Sequence, residues 1–279
     1  MTVLLRKSAS EQLAENGFLL ASVSEEVRRS IDITFRCAKD FFSRSGTEKL
    51  ESKLPYDCGY RPPGVEYSSS SDTPDAIESF TASIRTREKG RKLKSVRAFR
   101  LHERMIGVFK LLEPLAEILS VELARTVSGD DWSASMRGAF HRRSRLQINY
   151  ALPTQSKLEF INELHEDGHL LTIACSTAPG LEVLLQEQTF ACPYGMPGDV
   201  TVMPGNIAWL LSGGHVRPLH HRVRRMEDQR ERMSLLFFAD VDPSRCEPWI
   251  RNSVNAQVDI GACVLANNAR FGISDFPLE

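Results

Sequence analysis

The chain has 279 residues, 35 Lys and Arg against 36 Asp and Glu, and 42% hydrophobic residues. A formal net charge of −1 excludes the strongly basic balance of a nucleic-acid binder or of a protein held on an anionic membrane, so neither partner is expected. No stretch approaches the ~18 uninterrupted apolar residues of a membrane span, and Val3-Leu4-Leu5 is too short for a signal-peptide core, which leaves a cytoplasmic protein as the expectation.

The six cysteines (Cys37, Cys58, Cys175, Cys192, Cys246 and Cys263) are scattered without a C-x-x-C pair and read as free thiols in a reducing compartment. At this length a β-rich chain is commonly one unit with one large core. The elements follow in order. A helical turn is expected around Glu11 to Glu15, then a short strand at Phe18-Leu19-Leu20. Ser22 with Glu25 three residues on reads as a capping box, and Val27, Ile31, Phe35, Ala38 and Phe42 recur at helical spacing behind it. One amphipathic helix of roughly twenty residues fits that stripe.

From Tyr56 to Thr81 the composition turns to Gly, Pro and Ser, as in a surface loop. The basic run from Arg87 to Arg100 lacks interleaved aromatics beyond Phe99 and reads as a solvated helix start rather than a polyanion site. Phe99, Met105, Ile106, Phe109 and Leu112 supply an apolar stripe that Pro114 interrupts and Leu115, Ile118, Leu119 and Leu123 resume, giving two helical segments or one kinked helix. After Gly129 short apolar runs follow at 145–150, 169–175, 181–186, 199–203, 207–211, 219–223 and 233–239, separated by Gly, Pro and Asn. Such spacing is that of an antiparallel sandwich or barrel. With helices gathered ahead of it, the expected fold is a double-stranded β-helix, or jelly roll, backed by N-terminal helices. One domain, 1–279, is expected: a mostly helical region over 1–128 with a loop over 56–81, a jelly-roll core over 129–240, and a closing segment over 241–279.

The chemistry concentrates between residues 165 and 234. On a strand, His165 and Asp167 share a face, so an imidazole and a carboxylate converge. In Leu219-His220-His221-Arg222-Val223, parity puts His221 with the apolar residues and His220 with the arginines, so His221 is the inward candidate. Two His and one carboxylate on one face of an octahedron leave three open positions, the arrangement of oxygen-activating non-haem Fe(II) sites, although Zn²⁺ would accept the same trio. Arg232 and Ser234 also share a face, and a guanidinium fork beside a hydroxyl is a carboxylate receptor. The same stretch, His165-Glu166-Asp167-Gly168-His169, satisfies H-E-x-x-H, the zinc-hydrolase motif, which requires a helix. Gly168 and the β-branched residues of Leu170-Leu171-Thr172-Ile173 argue for a turn and strand instead. His169 then reads as a packing residue or a partner of the ligands.

These residues resemble the isopenicillin N synthase-like 2-oxoglutarate and Fe(II)-dependent dioxygenases, whose pattern is H-x-D, a distal His in an HRV context and then R-x-S. Here 54 positions separate Asp167 from His221 and 11 separate His221 from Arg232, close to that pattern. Gly180-Leu181-Glu182-Val183-Leu184, Pro197-Gly198-Asp199, Ser212-Gly213-Gly214, Asn149-Tyr150 and Glu15-Asn16-Gly17-Phe18 extend the likeness over nearly the whole chain. The resemblance implies Fe(II) on His165, Asp167 and His221, with 2-oxoglutarate as cosubstrate held by Arg232 and Ser234, and O2 as oxidant. It places Asn149 and Tyr150 at the cosubstrate pocket, with Ala151 where the family often has a second Tyr. Residues 60–75 become a candidate lid, with a solvated connection as the other reading. The implied reaction couples decarboxylation of the keto acid to hydroxylation, desaturation or cyclisation of a small-molecule substrate, such as an amino acid or a natural-product intermediate. A member that uses no 2-oxoglutarate would keep R-x-S too. Arg85, Arg87, Arg137 and Arg145 are candidate anchors for a substrate carboxylate, and a monomer or weak homo-oligomer is expected.

Overall fold

The computed structural model describes residues 8–54, 58–68, 74–132, 143–151, 159–185, 189–193, 199–226, 231–242, 247–250, 259, 262–263 and 266. Helix α1 (Ala9–Asn16) begins with a capping box in which Ser8 accepts the Glu11 amide and the Glu11 carboxylate returns to the Ser8 amide at 2.7 Å. Strand β1 (Leu19–Ala21) follows. Helix α2 (Glu25–Phe42) is capped by Ser24, which accepts the Val27 amide, and not by Ser22. An N-cap must stand immediately before the first helical residue, and Ser22 is two places too early. Its hydroxyl goes instead to Asp199 at 2.9 Å.

The Gly- and Pro-rich stretch over 56–81 is more structured than a surface loop. After α3 (Gly46–Leu50) and β2 (Lys53–Leu54) it contributes β3 (Cys58–Arg61) and the wholly buried β4 (Glu78–Ala82), which extend a sheet. The basic run becomes the short α4 (Arg87–Gly90) and the start of α5 (Val96–Ser128), with Arg91, Lys92 and Lys94 exposed as expected. Of the two readings around Pro114, the single helix holds: α5 runs through it for 33 residues. The carbonyl that loses a partner there belongs to Lys110, an exposed residue that water can reach.

The remaining elements are β5 (Arg145–Ala151), β6 (Phe160–His165), β7 (Leu171–Ser176), β8 (Leu181–Leu184), β9 (Phe190–Ala191), β10 (Val200–Pro204), α6 (Asn206–Leu211), β11 (His221–Arg224) and β12 (Arg232–Ala239). The apolar run 207–211 is therefore a helix and not one of the expected strands. Ile207, Ala208 and Leu211 are all buried, a spacing that one helix face satisfies and an alternating strand does not. Among the described residues two antiparallel sheets result, one of eight strands in the order β1-β10-β7-β12-β5-β4-β3-β2 and one of four in the order β6-β11-β8-β9.

The large sheet has two different faces because strand side chains alternate. Leu146, Ile148, Leu235 and Phe237 join the core under α2 and α5, where Phe109 meets Phe237 edge to face at 5.0 Å. Each such fully buried side chain contributes about 1.5–3 kcal/mol through removal from water. The alternate residues, Arg145, Gln147, Asn149, Ser234, Leu236 and Phe238, face the small sheet and line a cavity between the two.

Candidate metal centre

His165 is the last residue of β6, and Asp167 lies just past its end rather than on the strand. The two still converge, because the chain that follows is pinned by the first turn of α6. The amides of Gly205, Asn206 and Ile207 donate to the carbonyls of Leu170 (3.1 Å), Asp167 (2.8 Å) and His169 (3.2 Å). Gly205 is required there: a Cβ would stand 2.2 Å from the His169 carbonyl oxygen and 2.7 Å from that of Asp167. His221 opens β11 directly opposite His165 in the strand register, and the two ring centroids are 4.3 Å apart. The Nε2 atoms of His165 and His221 lie 3.8 and 3.9 Å from the Asp167 carboxylate oxygens. One ligand atom from each of the three falls within 4.8 Å of the others.

Tautomers follow from the partners. His165 Nδ1 lies 2.7 Å from the Glu163 carbonyl and His221 Nδ1 lies 3.1 Å from that of Leu219. A carbonyl only accepts, so each Nδ1 carries a proton and each Nε2 is the ring nitrogen turned toward Asp167. Burial, with His221 alongside, pushes the His165 pKa down to about 4, which keeps the ring neutral and available to a metal. Burial alone would raise the Asp167 carboxyl; His221, His165 and His169, with the Thr172 hydroxyl at 2.5 Å, outweigh it and hold the group below the usual carboxylate range. Two imidazoles and one carboxylate, backed by hydrogen bonds and open to a cavity, fit a divalent iron ion. Residues 165–169 leave a strand and enter a bend, so the helix demanded by H-E-x-x-H is not formed.

His220 points the other way, half exposed, and pairs with Glu166 at 3.1 Å. Arg232 and Ser234 both line the cavity, with Arg232 Nη1 donating to Ser234 Oγ and Nε donating to the Pro179 carbonyl at 3.1 Å. Asn149 pairs in register with Ser234 and lines the same wall. Tyr150 does not. One residue on along β5 it faces the helical side, stacked on Phe42 with ring centroids 5.0 Å apart and its hydroxyl toward Glu231, so its expected place at the cosubstrate pocket is corrected by strand parity. Of the candidate anchors, Arg145 lines the cavity, Arg85 and Arg87 are not among its lining residues, and Arg137 lies outside the described residues. The inward Cys175 has its thiol pushed up to about 12 by burial, which makes it inert as a nucleophile.

Sequence reasoning missed Gln147, Thr172, Asn162 and the segment carrying Glu66, Ser68 and Asp75. Parity along β5 was the available signal for Gln147, since it alternates with Arg145 and Asn149. The Gly- and Pro-rich segment offered none, because its strands are short and its polar side chains turn inward: Gln147 Nε2 donates to Glu66 at 2.8 Å, and Asp75 accepts from Ser68 Oγ at 2.7 Å and from Asn162 at 2.8 Å.

Residues 143–241 match the family model of the 2OG-Fe(II) oxygenase superfamily. A search of curated protein sequences finds no match. Among solved structures, the chain is similar to a full-length Neurospora crassa protein in complex with alpha-KG at 16% identity, with a TM-score of 0.77 over 94% of this chain and 89% of that one. The same Neurospora protein in complex with alpha-KG and thymine gives 15% identity and a TM-score of 0.74 over 94% and 91%. The dioxygenase for auxin oxidation 1 from Arabidopsis thaliana, in its 2-oxoglutarate complex, gives 20% identity and 0.68 over 85% and 91%. At these identities the structures speak for the jelly-roll fold alone. Residues 143–241 thus carry this chain's likeness to the 2OG-Fe(II) oxygenase superfamily, whose chemistry uses Fe(II), 2-oxoglutarate and O2.

Proposed function

We propose that His165, Asp167 and His221 hold the Fe(II), that Arg232 and Ser234 receive the distal carboxylate of 2-oxoglutarate with Asn149 beside them, and that the cavity oxidises a C–H bond of a small molecule. One observation carries this: three ligand atoms within 4.8 Å of one another open onto a cavity whose opposite wall bears Arg232 and Ser234. Bound Fe(II) supplies the redox chemistry that couples keto-acid decarboxylation to O2 activation.

The chain's own residues bind, orient and exclude water. Arg232 is tethered through Nε to the Pro179 carbonyl, so its guanidinium keeps one orientation while pairing with a carboxylate. The Ser234 hydroxyl, held by Arg232, adds a hydrogen bond to the same group. Thr172 fixes the Asp167 carboxylate, and two backbone carbonyls fix the imidazoles. Ile77, Val223, Leu236 and Phe238 give the cavity apolar walls that keep water from the reacting atoms. Hydroxylation, desaturation and cyclisation all suit such a pocket, and thymine in the Neurospora crassa complex illustrates the size of molecule that a similar fold accepts.

Anaerobic titration with Fe(II) and 2-oxoglutarate tests the reading. Wild type is expected to develop the weak visible charge-transfer band of the chelated keto acid, and Arg232→Ala to need at least ~10-fold more 2-oxoglutarate for it, in line with losing a charge-assisted bidentate contact. No band in wild type would overturn the cosubstrate assignment.

A further inference from the structure

The cavity holds a second buried guanidinium, at the end away from Arg232. In the β5–β12 register Arg232 faces Ala151 while Arg145 faces Phe238. Six residue steps separate those positions on β5, roughly 20 Å of sheet. Asp167 belongs to the Arg145 end, because it bonds to Thr172 and Thr172 pairs with Phe238. A keto acid stretched from Arg232 to the triad has its distal carboxylate far from Arg145, which stands beside the triad where a second molecule would meet the iron.

Arg145 is held in place there. One Nη donates to His169 Nε2 at 3.0 Å, and the guanidinium carbon stands 5.0 Å from the centre of the Phe238 ring. Arginine only donates, so His169 Nε2 accepts and its Nδ1 carries the proton toward Asp240 Oδ2 at 2.8 Å. His169 itself packs on Phe238, with centroids 4.4 Å apart. The guanidinium thus stands over the aromatic ring, and Arg145 lines the cavity. Arg145 is only 3% exposed, so any group that pairs with it does so away from water.

We propose that Arg145 binds a carboxylate of the prime substrate, which is accordingly a small carboxylic acid, with His169 and Asp240 as its positioning residues. This rests on the triad and cosubstrate assignments above. The surroundings select a monoanion. Glu66, Asp167 and Asp240 all act electrostatically on Arg145, and each has a partner of its own: Arg61 at 3.4 Å for Glu66, His169 for Asp240, the two imidazoles for Asp167. The second charge of a phosphate would face those carboxylates, whereas a planar monoanion matches the guanidinium fork.

The test is anaerobic calorimetry on the protein loaded with Fe(II) and 2-oxoglutarate, using phenylacetate, benzoate, hexanoate and N-acetylalanine, each beside its primary amide, with the chelate band recorded throughout. At least one acid is expected to bind 10-fold or more tightly than its amide, and Arg145→Gln to bring that ratio to within twofold while 2-oxoglutarate affinity changes less than twofold. Arg145→Lys, which keeps the charge and loses the fork, should retain a reduced preference of several fold. Acids that bind no better than amides, a panel in which no acid binds, or a preference that survives in Arg145→Gln would each overturn the proposal. Should both variants lose the chelate, the wild-type ratio decides alone. A wild type without the chelate band fails the cosubstrate assignment instead, which keeps the two outcomes apart.

Discussion

At the scale of single residues, the candidate centre depends on partners that fix each ligand's orientation. Thr172 sits on β7 beneath Asp167 and donates to its Oδ2 at 2.5 Å. Replacing it with Val keeps the shape and deletes the donor. Thr172→Val is therefore expected to weaken Mn(II) or Fe(II) binding by about 10-fold, within the range seen when a metal ligand loses its hydrogen-bond partner, with little change in melting temperature. Anaerobic metal titration checks it, and an unchanged affinity would show that the α6 contacts alone hold the carboxylate. Much at this scale was legible in the sequence. The parity of Leu219, His221 and Val223 separated the inward His from His220 correctly, since alternation on a strand needs only residue order. Tyr150 shows the limit: it shares a motif with Asn149, yet neighbours on a strand cannot both face one cavity.

At the scale of elements, the least legible piece was α6. Its run of Ile207, Ala208, Trp209, Leu210 and Leu211 carries no alternation and no polar break, so length and apolarity alone could not separate strand from helix. Its importance is positional, because its first amides collect the carbonyls of the turn that carries Asp167 and His169. Gly205→Ala is predicted to push that turn outward, since neither contact of the added Cβ is with a side chain that can swing away. The expected result is at least ~10-fold weaker metal binding with a loss of about 1–3 kcal/mol in stability, the usual cost of overpacking. Metal titration and denaturant unfolding measure the two effects, and wild-type values for both would refute the role given to this contact. The N-terminal helices were readable because apolar residues at helical spacing leave little choice; the cap moved from Ser22 to Ser24 because two serines two apart offer the same chemistry.

At the scale of the whole molecule, Asp75, just ahead of β4 in the large sheet, ties that sheet to the small one through Asn162. Asp75 accepts from Ser68 of its own segment and from Asn162 on β6. Burial raises its carboxyl from 3.8 to about 6, against those hydrogen bonds. A carboxyl that binds its proton more tightly when folded stabilises most fully below its unfolded pKa of 3.8, and that contribution is lost as pH rises through about 6. Comparing wild type with Asp75→Asn, the stability difference is expected to change by on the order of 2–3 kcal/mol between pH 4 and pH 7, in the sense that wild type loses ground as pH rises. Urea unfolding at a series of pH values checks this, and parallel curves would refute it. The overall jelly roll was legible from the spacing of short apolar runs after Gly129. The extension of its large sheet by β2, β3 and β4 was not, because Gly, Pro and Ser mask strands whose pairing is set by distant partners.

The facing positions of His165 and His221 on neighbouring strands have one more effect. The small sheet is built from strands of two to six residues, and His165 and His221 sit where β6 meets β11. An ion shared by the two imidazoles would rivet those strands together across their hydrogen bonds, so metal loss should loosen the sheet as well as silence the chemistry, and chelators would act on this protein as local denaturants.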